Sequence, residues 1–158
     1  MEGILDLLNS PMGKTIINGV ATSTGNDTSK TSSVLEMGLP VLMKAMQRNA
    51  TTPQGAEGLM GALGKHDGGI LDNLDDLFRG GINDEVKQDG SKILNHVLGT
   101  KTGNVERAIG EKAGLNAGSV ANILKVSAPI LMGVLGRQKP RRKKIWWTAR
   151  WFIRWIIW

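Results

Sequence analysis

The sequence predicts an all-α fold: a compact bundle of short helices followed by a cationic amphipathic C-terminal helix or tail. Three observations carry that reading. Apolar residues recur at spacings of three and four along most of the first 136 residues, the period of one helix face. Sustained period-two alternation of β-branched residues, the mark of a half-buried strand, is missing. All 21 glycines fall before residue 137, where they cut the helical pattern into short lengths.

Taken in order, Ile4, Leu5, Leu7 and Leu8 support a turn or two of helix. VATSTGNDTSKTSS (residues 20–33) is polar and rich in Ser and Thr, the composition of a flexible linker, so the packed domain is expected to begin at residue 34. Leu35, Leu39, Leu42 and Met46 form a helical stripe that Pro40 interrupts. A proline disfavours helix both at the preceding residue and in the interior. One short helix is therefore expected to stop at Gly38 and a second to start with Pro40 in its first turn.

Thr52-Pro53 places a capping hydroxyl before a proline at the first helical position. Ala56, Leu59, Met60 and Leu63 then share a face that Gly64 can end. Asp67-Gly68-Gly69 reads as a turn, and Ile70, Leu71, Leu74, Leu77 and Phe78 give the strongest helical pattern in the chain. Another helix is expected from about Asp84 to Leu98, with Gly90 inside it or breaking it. A short helix capped by Thr102 or Asn104 should stop near Gly114. Asn116 can cap the next, and Pro129 should open a final segment that Gly136 ends. LPVLMKAM at 39–46 resembles APILMGVL at 128–135, and DGGIL at 67–71 resembles DGSKIL at 89–94. The two offsets differ, so no tandem repeat is read from them.

Charge divides the chain sharply. The formal net charge is +6, but eight of the 20 Lys/Arg lie within residues 137–158, where there is no acid. The remaining 12 face all 14 Asp/Glu, so the body is slightly acidic. All five Trp lie between Trp146 and Trp158. The organisation expected is a short N-terminal helix and linker over 1–33, a helical domain over 34–138 and a basic Trp-rich tail over 139–158.

Absence of Cys excludes a disulfide framework, thiolate metal sites and Cys nucleophiles. No signal peptide is read from MEGILDLLNS, and the apolar stretches look short of a membrane span of ~20 residues. His66 and His96 lack a local nucleophile or metal-pairing spacing and read as structural or surface histidines. Asp72, Asp75 and Asp76 read as the solvated face of a helix rather than a calcium loop. Residues 104–126 have helix-turn-helix spacing, but the second helix opens with Asn116, Ala117, Gly118 and Ser119, which offer no basic side chain to phosphate or base. No catalytic constellation, cofactor or metal is expected.

LPVLMKAMQRN, PQGAEGLMGALGKHDGGILDNL, DGSKILNHVLG and GLNAGSVANILKVSAPILMGVLGRQ, in that order, resemble the bacterial DUF937 or YidB-like family over about residues 34–138. The resemblance implies an all-helical domain, grouped by some with homeodomain-like folds, and supplies no catalytic residues. Fold alone does not fix function. Nothing in that family looks like RRKKIWWTARWFIRWIIW.

The tail opens with Arg141, Arg142, Lys143 and Lys144. On a helical wheel Lys143, Arg150 and Arg154 share a strip about 40° wide, and the remainder is almost wholly apolar. As a helix the 14 residues from Ile145 would reach ~21 Å against a hydrocarbon core of ~30 Å, too short to span. Trp favours the headgroup level, Arg snorkels, and basic residues attract anionic lipid.

The first reading is therefore a membrane-binding, membrane-disrupting, antibacterial toxin-like segment resembling a cationic Trp-rich antimicrobial peptide. Trp146, Trp147, Trp151, Phe152, Trp155, Ile156 and Trp158 would meet lipid or a partner, and Arg141, Arg142, Lys143, Lys144, Arg150 and Arg154 the anionic surface. The other readings are docking on a protein partner or within a homo-oligomer that shields the tail, nucleic-acid binding through stacked Trp rings as a distant third, and an engineered or frame-altered extension. The expected location is a bacterial cytoplasmic body associated with a membrane surface, with non-classical export as an open alternative.

Overall fold

The computed structural model describes residues 2–66, 69–79 and 84–138. Every regular element among them is helical, as the apolar spacing predicts. In chain order these are α1 (Glu2–Asn9), α2 (Pro11–Thr24), α3 (Thr28–Asn49), α4 (Pro53–Lys65), α5 (Gly69–Asp72), α6 (Leu74–Arg79), α7 (Asp84–Leu98), α8 (Thr102–Ala113) and α9 (Ala117–Gln138), with a 3-10 turn over Gly99–Lys101.

The expected linker is the largest departure. Residues 20–33 are the end of α2, a three-residue turn and the start of α3. Their composition misleads because the hydroxyls fold back onto their own helices. Thr24 Oγ1 donates to the Val20 carbonyl at 2.7 Å, and Ser33 Oγ donates to the Ser29 carbonyl at 3.2 Å. Gly25 ends α2 in the left-handed region at φ 71°, and Asp27 caps α3 by accepting from the Lys30 N–H at 3.1 Å. Val20 and Thr31 are 0% exposed, so this stretch belongs to the core and no boundary falls at residue 33.

Neither internal proline opens a new helix. Pro40 lies inside α3 and Pro129 inside α9. Burial outweighs the local penalty, since Leu35, Leu42, Leu124 and Leu131 on either side of the two prolines are at most 2% exposed. Pro129 has no N–H to give the Lys125 carbonyl, and Gly90 of α7 covers that oxygen instead. A Cβ on Gly90 would overlap it. The strongest sequence pattern, Ile70 to Phe78, is split into α5 and α6 at Asn73, whose Nδ2 donates to the Gly69 carbonyl at 3.3 Å. Thr52 and Asn116 cap as expected, accepting from Gly55 N–H at 3.1 Å and Ser119 N–H at 2.7 Å. Helix α8 instead begins at Thr102 without a side-chain cap. The Asp67-Gly68 part of the expected turn lies outside the described residues.

Helix α9 forms the centre, with α2, α3, α4, α5, α7 and α8 packed around it. The sequence expectation that apolar stretches fall short of a span is corrected here. Ala117–Arg137 is long and apolar enough to cross a membrane, yet 72% of that window is buried inside the body.

Candidate functional site

The sequence places its candidate site in the tail. Arg141, Arg142, Lys143, Lys144, Trp146, Trp147, Arg150, Trp151, Phe152, Arg154, Trp155, Ile156 and Trp158 all lie outside the described residues. The structure describes what the tail is attached to. Helix α9 carries the chain out of the core as far as Gln138, and Arg137 at its last turn donates from Nη2 to Asp72 Oδ1 on α5 at 2.7 Å. Both side chains of that pair are well exposed, so it adds little stability.

His66, at the C-terminal cap of α4, has a partner that its local sequence did not offer. Its Nε2 lies 2.6 Å from Asp89 Oδ2 on α7, and its Nδ1 lies 2.7 Å from the Ala62 carbonyl. Both ring nitrogens thus face oxygen atoms of the protein itself. The arrangement ties α4 to α7. His96 lies between the same two helices, its Nε2 3.2 Å from where a Cβ on Gly58 would stand, while Asn49 Nδ2 donates to the His96 and Val97 carbonyls at 3.3 and 3.1 Å. Asp89 was legible only as part of DGSKIL, 23 residues from His66, with no periodic signal linking the two.

Asp72 pairs with Arg137, and Asp76 lies 3.8 Å from Arg79 at the surface. No group of three His, Cys, Asp or Glu that could hold a metal occurs among the described residues. The helix-turn-helix spacing is real: α8 ends at Gly114, φ 75°, and α9 follows after two residues. A recognition helix must present its first turns to a groove. Here Val120, Ile123 and Leu124 are 0% exposed, leaving only Gly118 and Asn122 fully outward before Lys125.

Exposed large apolar side chains among the described residues are Leu5 at 40%, Met12 at 39% and Val41 at 38%, one on each of α1, α2 and α3. An internal gap of about 20 Å³ lies between α1, α2, α3 and α9, with Leu7, Leu35, Ser127 and Ile130 among its lining residues. It is far below the volume of a small-molecule site.

The family model for DUF937, described as bacterial protein of unknown function, matches residues 6–138. The chain belongs to the DUF937 family. The match starts well before residue 34, consistent with α1, α2 and the start of α3 being part of the domain. No curated protein and no solved structure matches.

Proposed function

We propose that this DUF937 chain is a non-enzymatic helical body that carries a membrane-active tail, with the antibacterial, toxin-like disruption of an anionic bilayer as its action. The observation that carries the reading is the composition of residues 137–158: eight cations and no acid, interleaved with five Trp. Interfacial segments combine these residues because Trp prefers the headgroup level while Arg and Lys meet lipid phosphate. The basic residues would contribute on the order of 1 kcal/mol each near an anionic surface.

The body supports the same reading by what it offers the tail. Among the described residues only Leu5, Met12 and Val41 are exposed large apolar side chains, one on each of three helices, whereas a tail with five Trp needs a continuous apolar surface. Lipid supplies one. A protein partner or a second copy of the chain is the alternative supplier.

Co-sedimentation and dye release with phosphatidylglycerol-containing and phosphatidylcholine vesicles test this on the full chain against a 1–138 truncation. Full-length protein should bind and permeabilise the anionic vesicles, and the truncation should do neither. Equal behaviour of the two proteins would overturn the membrane reading. Tail-dependent self-association without vesicle binding would favour the partner reading.

A further inference from the structure

The faint echo in the sequence becomes a full register once the helices are in place. Helices α3 and α9 each have 22 residues, and Pro40 and Pro129 are each the thirteenth. The offset between them is 89 positions, and it holds for the helix ends and caps upstream. Gly25 and Gly114, 89 apart, both cap the preceding helix at φ 71° and 75°. The N–H of Asn26 reaches the Ala21 carbonyl at 3.0 Å, and the N–H of Leu115 reaches the Gly110 carbonyl at 2.9 Å. Asp27 and Asn116 then cap the next helix through the N–H three residues on. Helix α1 ends at Asn9 and α7 at Leu98, again 89 apart, with Ile4-Leu5 matching Ile93-Leu94. At this offset GSKIL at 90–94 is the counterpart of MEGIL at 1–5, not of DGGIL at 67–71.

The packing follows the same register. Helix α2 packs on α9, α8 packs on α3, and α3 meets α9 between them. The identical pairs Leu35/Leu124, Leu42/Leu131 and Met43/Met132 are all at most 6% exposed. Where α3 meets α9, a Cβ on Gly38 would lie 2.9 Å from Leu124 Cδ2. The counterparts of those two residues, Ser127 and Leu35, line one internal gap together.

We infer that residues 2–49 and 91–138 are two copies of one three-helix unit, paired about a pseudo-two-fold axis. The seam between them is a self-association surface whose fitting partner is a second copy of the same unit. An isologous pair makes each contact twice, which is the pattern of α2 on α9 and α8 on α3. Residues 50–90 join the copies and place α4 and α5 against α9.

Reciprocal exchange across the seam in the full chain tests this. One pair variant carries Gly38→Ser with Leu39→Ala, the other Ser127→Gly with Ala128→Leu, and the quadruple variant carries all four. Each pair is expected to lower the melting temperature by about 10 °C, one by leaving a cavity and the other by overpacking. The quadruple variant returns each contact to the opposite side of the axis and should recover more than half of the summed loss. If the losses add, or if the quadruple variant fails to fold, the two-fold seam is overturned.

Discussion

Helices α3 and α9 have the same length, the same proline position and closely similar apolar faces, yet they live in different surroundings. Helix α3 keeps Glu36, Val41, Lys44 and Arg48 exposed. Their counterparts on α9 are Lys125, half-buried; Ile130 and Gly133, buried; and Arg137, engaged with Asp72. What the two share encodes the seam between the units. Where they differ records which helix has been covered further, in this case α9, by α4, α5 and α7.

The largest expected effect sets the two helices directly against each other. Ile130→Lys buries a charge at a site 2% exposed and should cost more than about 4 kcal/mol or prevent folding. Val41→Lys, at the matching position but 38% exposed, should stay within about 0.5 kcal/mol. Urea titration followed by far-ultraviolet circular dichroism measures both, and equal losses would break the comparison.

Gly90→Ala should cost about 2–3 kcal/mol, because its methyl would overlap the Lys125 carbonyl. Gly61→Ala on α4, with nothing within 4 Å, should instead gain up to about 1 kcal/mol. The same titration separates the two signs. A similar gain is expected from Thr31→Val. Its hydroxyl is buried without a partner, and the counterpart residue Val120 is also 0% exposed. Removing the orphan hydroxyl should add about 1 kcal/mol, whereas Val120→Thr should lose a similar amount.

The smallest effect concerns pH. Burial of Glu106 raises its carboxyl above the usual range, and Lys125 on α9 partly offsets this. A raised pKa means a contribution present below the unfolded value and lost as pH rises through the folded one. Relative to wild type, Glu106→Gln should therefore be more stable at neutral pH, by under about 0.5 kcal/mol after solvent screening, and the gain should fade in acid. A gain that grows in acid would contradict this assignment.

Caps and stripes were legible because they act over three or four residues: Thr52, Asn116 and the apolar faces lie where the spacing put them. The prolines and the Ser/Thr-rich stretch were not legible in the same way. Their local preferences are real, but partners far along the chain overrule them: Gly90 covers the carbonyl freed by Pro129, and the core closes over Thr31. The His66–Asp89 pair depends on how α4 and α7 are each placed against α9, which no local pattern encodes. The tail was legible as chemistry, through its charge and its Trp, and its residues lie outside those the structure describes.

Pro129 also leaves α9 with one backbone donor fewer at its middle. With its own N–H missing, the ladder of amide protons is interrupted at that turn, and protection against solvent exchange need not be uniform along the helix. Burial does not follow that break: in the segment beyond Pro129, Ile130, Leu131 and Met132 are 2% exposed, nearly as closed as Val120, Ile123 and Leu124 before it. The tail is tethered to that outer segment, so a pull on the tail would be felt first by the last turns of α9 and only later by the seam.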